Sequence, residues 1–179
     1  MLTIIVPSNE LYDGETNTFI VTKEQVLQME HSLVSISKWE SKWLKPYLGK
    51  QERTKEEMLD YLRCMTTTQN VDPTLYSALS QANMAKIAKY IDSPMSATVI
   101  NDTSRRANTE IITSELLYYW MIQFNIPFEC QKWHLNRLMM LIRICSIKNE
   151  KPKKMSKAEV MNRNKSLNEA RKKANNTKG

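Results

Sequence analysis

The chain has 179 residues, of which 41% are apolar and 25% are charged, and this length and composition are typical of one folded domain or of one domain with a tail. Its three glycines, Gly14, Gly49 and Gly179, stand alone in the sequence. Phosphate-binding loops need clustered glycines, because only they let the backbone approach the anion closely. The sequence therefore excludes nucleotide loops of the Walker, Rossmann and protein-kinase types.

The positive charge of the chain is concentrated in its last residues. The formal net charge is +7, but residues 151–179 hold ten Lys or Arg and two Glu, a net of +8, which leaves residues 1–150 with a net of −1. The composition also changes abruptly after residue 150. We therefore expect two parts, a helical domain over residues 1–150 and a basic helical extension over residues 151–179.

The cysteines and the N-terminus indicate a soluble protein made in a reducing compartment. Cys64, Cys130 and Cys145 are odd in number and lie in apolar helical runs, so we expect buried thiols and no disulfide framework. The first ten residues lack the basic region and the long apolar run of a secretory signal. No uninterrupted apolar run of 18 residues predicts a membrane span, so we expect no membrane partner.

The first predicted elements in chain order are strands. Residues 2–6, LTIIV, are rich in β-branched side chains, and residues 18–21, TFIV, follow a turn-forming stretch that contains Asp13 and Gly14. This pattern predicts a short antiparallel hairpin between the two runs. Residues 97–100, ATVI, resemble a third strand, and we expect them to join the hairpin as a three-stranded sheet.

Helical patterns cover most of the remaining chain. Capping boxes, in which a Ser or Thr precedes a Glu or Gln by three positions, open three predicted helices at Thr22, Thr54 and Ser156. Asp72 before Pro73 predicts another helix start, with a break near Ser80. The predicted helices span residues 23–44, 54–66, 72–91, 110–124, 127–145 and part of 156–179. The fold class is thus mainly α (α+β), with five to six helices, a small N-terminal sheet and a basic C-terminal helix.

The two most hydrophobic helices are predicted over residues 110–124 and 127–145. Only a short turn around Asn125 and Pro127 separates them, and short connections usually make consecutive helices neighbours. We expect these two helices to pair at the core.

No set of residues in the sequence predicts catalysis or a cofactor. Cys130 and His134 are four positions apart and would share a helix face, but two further metal ligands are missing nearby, so packing in the core is the favoured interpretation. A nucleophile with a base and an orienting group is not recognisable either. We expect no enzymatic activity, no catalytic residues, no bound metal and no cofactor.

The tryptophans are candidates for both core and partner contacts. Trp39 and Trp43 are one helical turn apart and can stack on one face, and Trp133 and Arg137 have the same spacing, which allows a cation–π contact. Core packing accounts for these patterns, and an exposed binding ridge is the alternative. We expect some of Trp39, Trp43, Trp120 and Trp133 to border an apolar groove or an oligomer interface, and the eleven methionines would make such a surface adaptable.

The basic tail is a candidate for partner contacts. Lys and Arg side chains can neutralise phosphates, but residues 151–179 contain no aromatic side chain on which bases could stack. A solvated basic helix, or one that docks on an acidic partner, is therefore favoured over nucleic-acid binding. The candidate contact residues are Lys153, Lys154, Lys157, Arg163, Arg171, Lys172 and Lys173.

Three blocks of the sequence carry a resemblance to a known family. They are HSLVSISKWESKWLKPYLGK (residues 31–50), YYWMIQFNIPFECQKWHLNRLMMLIRICSIKN (residues 118–149) and the tail KPKKMSKAEVMNRNKSLNEARKK (residues 151–173). In these blocks the chain resembles the tail assembly chaperones, a family of small proteins encoded in the tail-gene clusters of long-tailed bacteriophages. The resemblance spans most of the chain, and the block IPFECQKWHLNRL is its most specific part.

The resemblance implies a helical protein in the cytoplasm of the infected bacterial host. Its partner would be the phage tape measure protein, which it would keep soluble while tail-tube subunits polymerise around it, and it could also self-associate into multimers. Such chaperones are commonly made in short and frameshift-extended forms, and the codons of Lys153 and Lys154 could be a slippery site. The alternatives are a virion structural protein of the tail or neck, or a nucleic-acid-binding protein that uses the basic tail.

Overall fold

The computed structural model describes residues 1–13, 18–100, 110–149 and 156–176, and it describes residues 9–13 and 18–22 by their backbone alone. The chain divides into two compact units, Met1–Ser146 and Ile147–Gly179. The protein is mainly helical, as the sequence predicts, and it has two small antiparallel sheets near the N-terminus.

Four short strands form two antiparallel pairs. Strand β1 (Leu2–Val6) pairs with β4 (Gln25–Met29), and β2 (Asn9–Asp13) pairs with β3 (Thr18–Thr22). The predicted pairing of residues 2–6 with residues 18–21 is therefore wrong. The stretch that was expected to be only a turn itself contains β2, and the partner of β1 lies in a segment that the sequence pattern assigned to a helix.

The helix predicted over residues 23–44 begins ten residues later than expected. In β4 the side chains of Leu27 and Met29 are buried while those of Val26 and Gln28 are exposed, which is the alternation of a strand with one covered face. Helix α1 (Leu33–Trp43) begins instead after Ser32, whose side chain forms a capping box with Ser35. The capping box expected at Thr22 and Gln25 does not form, because both residues belong to strands.

The predicted third strand at residues 97–100 is also wrong. These residues form no strand, and the free edge of β4 is occupied by the segment that follows the second helix. Glu30 donates its backbone N–H to Met65 O at 2.9 Å, and Thr67 donates to Gln28 O at 2.8 Å. The loop after α2 therefore supplies hydrogen-bond partners to the free edge of β4. Residues 97–100 consequently cannot pair with this edge.

Several predicted helix starts are confirmed. Helix α2 (Lys55–Met65) begins after Thr54, which forms its capping box with Glu57. Asp72 caps a 3-10 helix (Pro73–Ala78), and after the break at Ser80 the chain continues as α3 (Gln81–Ile91). Further helices are α4 (Ser114–Gln123), a second 3-10 helix (Phe128–Lys132), α5 (Leu135–Asn149) and α6 (Lys157–Asn175). Pro127 therefore opens only the second 3-10 helix, and α5 starts after it.

Helix α1 is the central element of the first unit. It packs against α2, α4 and the second 3-10 helix, and its buried side chains Leu33, Ile36 and Trp39 lie in the core. The sequence predicts that the helices over residues 110–124 and 127–145 pair at the core, but α4 and α5 make no more than a marginal contact among the described residues. The 3-10 helix between them turns the chain, so that α4 packs on α1 instead.

Candidate functional site

Trp39 and Trp43 join α1 to α2. Their indole rings stack, with centroids 6.3 Å apart and an interplanar angle of 30°. Trp39 is 1% exposed and donates its Nε1–H to Glu57 O at 2.9 Å. Trp43 is partly exposed, and it donates its Nε1–H to Asp60 Oδ2 at 2.8 Å. Trp39 is thus a core residue that offers no surface to a partner, whereas Trp43 keeps part of its ring accessible.

The carboxylate of Asp60 completes the contact between these two helices. Lys42 Nζ lies 2.6 Å from Asp60 Oδ1. Burial raises the pKa of Asp60, but the hydrogen bonds from Lys42 and Trp43 and the charges of Lys42 and Arg63 outweigh it, so the pKa of the carboxyl lies below its usual value. The Asp60 side chain is therefore ionised at neutral pH, and its contacts with Lys42 and Trp43 join α2 to α1.

Trp120 and Trp133 are each partly buried against the core. Arg137 places its guanidinium carbon 4.1 Å from the centroid of the Trp133 ring, which is the cation–π geometry that their spacing allows. Of the four predicted tryptophans, Trp43, Trp120 and Trp133 therefore retain some accessible surface.

The most exposed large apolar side chains on α4 and on the 3-10 helix after it are not tryptophans. Tyr119 is 57% exposed, Ile122 is 61% exposed, and Phe128 in the following 3-10 helix is 53% exposed. Tyr118 precedes Tyr119 on α4, its ring lies 6.5 Å from that of Phe128, and its hydroxyl donates to Gln131 Oε1 at 2.9 Å. We call the surface formed by Tyr118, Tyr119, Ile122 and Phe128 the Ile122 face.

The opposite side of α4 is fully buried. Leu117 and Met121 are both 0% exposed and belong to the core. On its outer side α4, with the sequence SELLYYWMIQ, carries Tyr119 and Ile122 together with the exposed polar residues Glu115 and Gln123. The sequence predicts this helix as one of a pair at the core, so it gave no reason to expect that Tyr119 and Ile122 are exposed.

The basic tail forms a separate helix. None of the side chains of α6 is buried, so the candidate contacts Lys157, Arg163, Arg171, Lys172 and Lys173 are all exposed. Lys153 and Lys154 lie outside the described residues. The helix begins with the predicted capping box between Ser156 and Glu159, and the hydrogen bonds from Ser156 lower the pKa of the Glu159 carboxyl.

A buried cluster of histidine and tyrosine rings lies where β4, α2, α3 and α5 meet. His31 Nδ1 is 2.5 Å from the hydroxyl of Tyr61, and the ring of His31 is 5.2 Å from that of His134. The ring of Tyr90 packs edge-on against His134 at 4.9 Å, and Tyr47 stacks on Tyr61 at 3.9 Å. Sequence reasoning did not predict this cluster, because its members come from distant parts of the chain.

Both histidines of the cluster are neutral near pH 7. Burial, with a smaller contribution from the charge of His134, lowers the pKa of His31 to about 4. Burial also lowers the pKa of His134, against the opposing effects of its hydrogen bond to Tyr90 and of the charge of Glu30. Asn136 donates its backbone N–H to His134 Nδ1 at 3.3 Å, so we assign the proton to Nε2, which lies 3.0 Å from Tyr90 O.

An open cleft of about 370 Å³ lies beside this cluster. The loop between α1 and α2 forms one wall, and the end of α3 with the start of α5 forms the other. The lining residues are His31, Tyr47, Leu48, Gly49, Arg53, Ile91, Asp92, Leu135 and Asn136. The cleft is open to solvent, and polar groups form more of its lining than apolar groups do.

Cys130 and His134, whose spacing in the sequence allows a pair of metal ligands, make other contacts in the structure. Cys130 is buried in the second 3-10 helix, and both ring nitrogens of His134 lie within hydrogen-bond distance of backbone groups. The described residues contain no group of three or more His, Cys, Asp or Glu side chains that could hold a metal ion. Among these same residues, no helix combines the length and the apolar character needed to cross a membrane.

Comparisons with known proteins identify no relative of the chain. No family model matches the chain, and neither the curated proteins nor the solved structures contain a match.

Proposed function

We propose that this protein is a tail assembly chaperone of a long-tailed bacteriophage, which binds the tape measure protein in the cytoplasm of the infected host and keeps it soluble. The observation that carries the proposal is the Ile122 face, an exposed apolar surface on a helix whose opposite side is fixed in the core. The resemblance of three sequence blocks to that family supplies the identity of the partner.

The chemistry of the Ile122 face suits a helical partner. A tape measure chain exposes long apolar stripes before the tail tube encloses it, and such stripes dock on apolar surfaces of helical proteins without any catalysis. Tyr119 and Phe128 offer large ring surfaces at a low cost in side-chain entropy, and exposed patches of this kind usually mark binding sites. The proposal therefore includes no enzymatic step, no cofactor and no metal.

A second candidate function rests on α6. This helix carries Lys157, Arg163, Lys165, Arg171, Lys172 and Lys173 against two Glu, and none of its side chains is buried. A basic helix of this kind can bind phosphates without sequence preference. The alternative is thus a nucleic-acid-binding or virion structural protein that uses α6.

Co-expression with the tape measure protein encoded in the same gene cluster tests the main proposal. We expect the wild-type protein to keep the tape measure soluble and to be recovered with it in a pull-down, and we expect Ile122→Glu to lose both effects. Val99→Glu is the matched control, because Val99 is also an exposed apolar residue, at 82%, outside the Ile122 face. Equal capture by the wild type and Ile122→Glu would contradict the proposed surface.

Two further measurements separate the alternatives. A chaperone should be absent from purified virions by mass spectrometry, whereas a structural protein should be present. Salt-dependent retention on DNA that disappears when residues 151–179 are removed would favour the nucleic-acid function.

A further inference from the structure

The cleft beside the histidine cluster is lined by two side chains of opposite charge that form no salt bridge within the described part of the chain. Arg53 lines one wall and Asp92 the other. Among the described residues neither takes part in a salt bridge, and the two are not paired with each other. Charged groups that face one cleft without partners are candidates for ligand contacts.

Arg53 is held in place by aromatic rings. Its guanidinium carbon lies 4.1 Å from the ring centroid of Tyr47 and 5.9 Å from that of Trp39, and its Nη2 donates a hydrogen bond to the backbone oxygen of Tyr47. Its Nε is buried and has no hydrogen-bond partner. The guanidinium is thus fixed by these contacts, and the Nη N–H groups that Tyr47 O does not use are the donors that a carboxylate in the cleft would contact.

Asp92 stands at an electrostatically unfavourable position. It is the C-cap residue of α3, where the helix dipole is negative, and its exposed carboxylate makes no hydrogen bond within the part of the chain that the structure describes. The neighbouring carbonyl oxygens of Ile91 and Ser93 accept hydrogen bonds from Asn136 Nδ2 at 3.0 and 2.8 Å. Asn136 therefore fixes the end of α3 through backbone oxygens and not through the Asp92 carboxylate.

Both charges act on the same tyrosine. Burial is the largest cause that raises the pKa of Tyr47 to about 12, Arg53 opposes this shift, and Asp92 adds to it. The ring of Tyr47 therefore lies within the electrostatic range of a cation and of an anion, and Leu48 and Ile91 add apolar walls to the cleft.

We propose that this cleft binds a ligand that carries a carboxylate and an ammonium group, joined by a short apolar spacer. The carboxylate contacts Arg53, the ammonium contacts Asp92, and the spacer packs on Tyr47, Leu48 and Ile91. A free amino acid with separated charges and a Glu–Lys pair on a polypeptide both present this chemistry. The inference is separate from the proposed function, because the cleft and the Ile122 face share no residue.

The test uses three small probes of equal chain length and the full-length protein. In ¹H–¹⁵N spectra we expect 6-aminohexanoate to shift the backbone amides of Gly49 and Asn136. Hexanoate and hexylamine each offer only one of the two charges, and we expect them to bind about tenfold more weakly, which is the effect of losing about 1.4 kcal/mol. A blocked helical peptide with Glu and Lys four residues apart distinguishes a polypeptide source from a free small molecule.

Asp92→Asn sharpens this test, because it removes a charge from an exposed side chain without changing its shape. We expect this variant to bind 6-aminohexanoate about tenfold more weakly and hexanoate no more weakly than the wild type does. Glu24→Gln, which removes an exposed charge outside the cleft, is the control and should bind like the wild type. Arg53→Gln should weaken the binding of both carboxylate probes.

Binding of the 6-aminohexanoate probe or of the Glu–Lys peptide at the cleft, weakened by Asp92→Asn, supports the proposal and identifies the source. If neither probe shifts the Gly49 and Asn136 amides at about 10 mM, a concentration at which even a weak millimolar site would be occupied, the proposal is overturned. It is also overturned if hexanoate binds as tightly as 6-aminohexanoate, because Asp92 would then play no part.

Discussion

The junction of α1 with α2 and the outer side of α4 differ in how their large side chains are accommodated. At the junction the polar groups of the large side chains find partners inside the protein, as Trp39, Trp43 and Asp60 illustrate. On α4 the Ile122 face leaves Tyr119, Ile122 and Phe128 largely in solvent. The first region is built for stability. The second leaves large apolar side chains in water, and under the proposed function a partner covers them.

One buried carboxylate connects the two regions. Glu40 on α1 accepts a hydrogen bond from the backbone N–H of Tyr47 at 2.7 Å and another from that of Ser114, the first residue of α4, also at 2.7 Å. The Ile122 face is thus presented by a helix that is anchored to the stable junction. A rigid support of this kind reduces the entropy that binding must overcome.

The largest effect on this comparison is expected for Trp39→Ala. The substitution removes a fully buried indole and its hydrogen bond to Glu57 O, so we expect it to lower the free energy of unfolding by about 3–5 kcal/mol. Urea denaturation followed by circular dichroism measures the change. A loss below about 1 kcal/mol would show that the junction is not the main source of stability.

Acidification tests the buried cluster that adjoins the junction. Because the pKa of His31 is lowered from 6.5 to about 4 in the folded protein, the unfolded chain binds a proton more readily between these two values. Stability should therefore fall as the pH decreases from about 6.5 towards 4, by about 3 kcal/mol at most for this group. His31→Gln should show a smaller decrease in the same range, and an unchanged slope would contradict the assignment.

Glu40→Ala should weaken the connection between the two regions. It leaves the buried N–H groups of Tyr47 and Ser114 without their acceptors, and each such group costs about 1–3 kcal/mol. We expect a decrease in stability of about 2–3 kcal/mol and faster hydrogen exchange at the start of α4. Glu40→Gln, which keeps one acceptor oxygen, should lose less. Protection at Ser114 that survives Glu40→Ala would argue against this anchor.

The smallest effect on stability is expected for Ile122→Ala. Its side chain is 61% exposed, so thermal and urea denaturation should change by less than about 0.5 kcal/mol. Under the proposed function this same variant should nevertheless capture less tape measure protein. A large loss of stability would mean that the Ile122 face is part of the core rather than a binding surface.

Local sequence signals predicted the elements whose stabilising contacts are close in the chain. The capping boxes at Thr54 and Ser156 and the start at Asp72 before Pro73 all form, because a cap needs only a side chain and an amide a few residues away. The stacking of Trp39 on Trp43 also follows from spacing on one helix. The mainly helical fold class rests on the same local information.

The same reasoning was wrong where a distant segment decides the structure. Residues 25–29 have a pattern that suits both a helix and a strand, and pairing with β1 makes them a strand. Residues 97–100 have the composition of a strand, but the loop after α2 already occupies the edge of β4. Propensity is a weak preference that such tertiary contacts override.

The candidate sites divide in the same way. The sequence by itself determined the basic helix and the position of the tryptophans on their helices, since these are properties of short segments. Only the tertiary structure decided that Trp39 is buried while Ile122 is exposed, and only it brought Arg53 and Asp92 to one cleft. The reason is physical: burial and charge pairing depend on which distant segments pack together, and no local pattern specifies that packing.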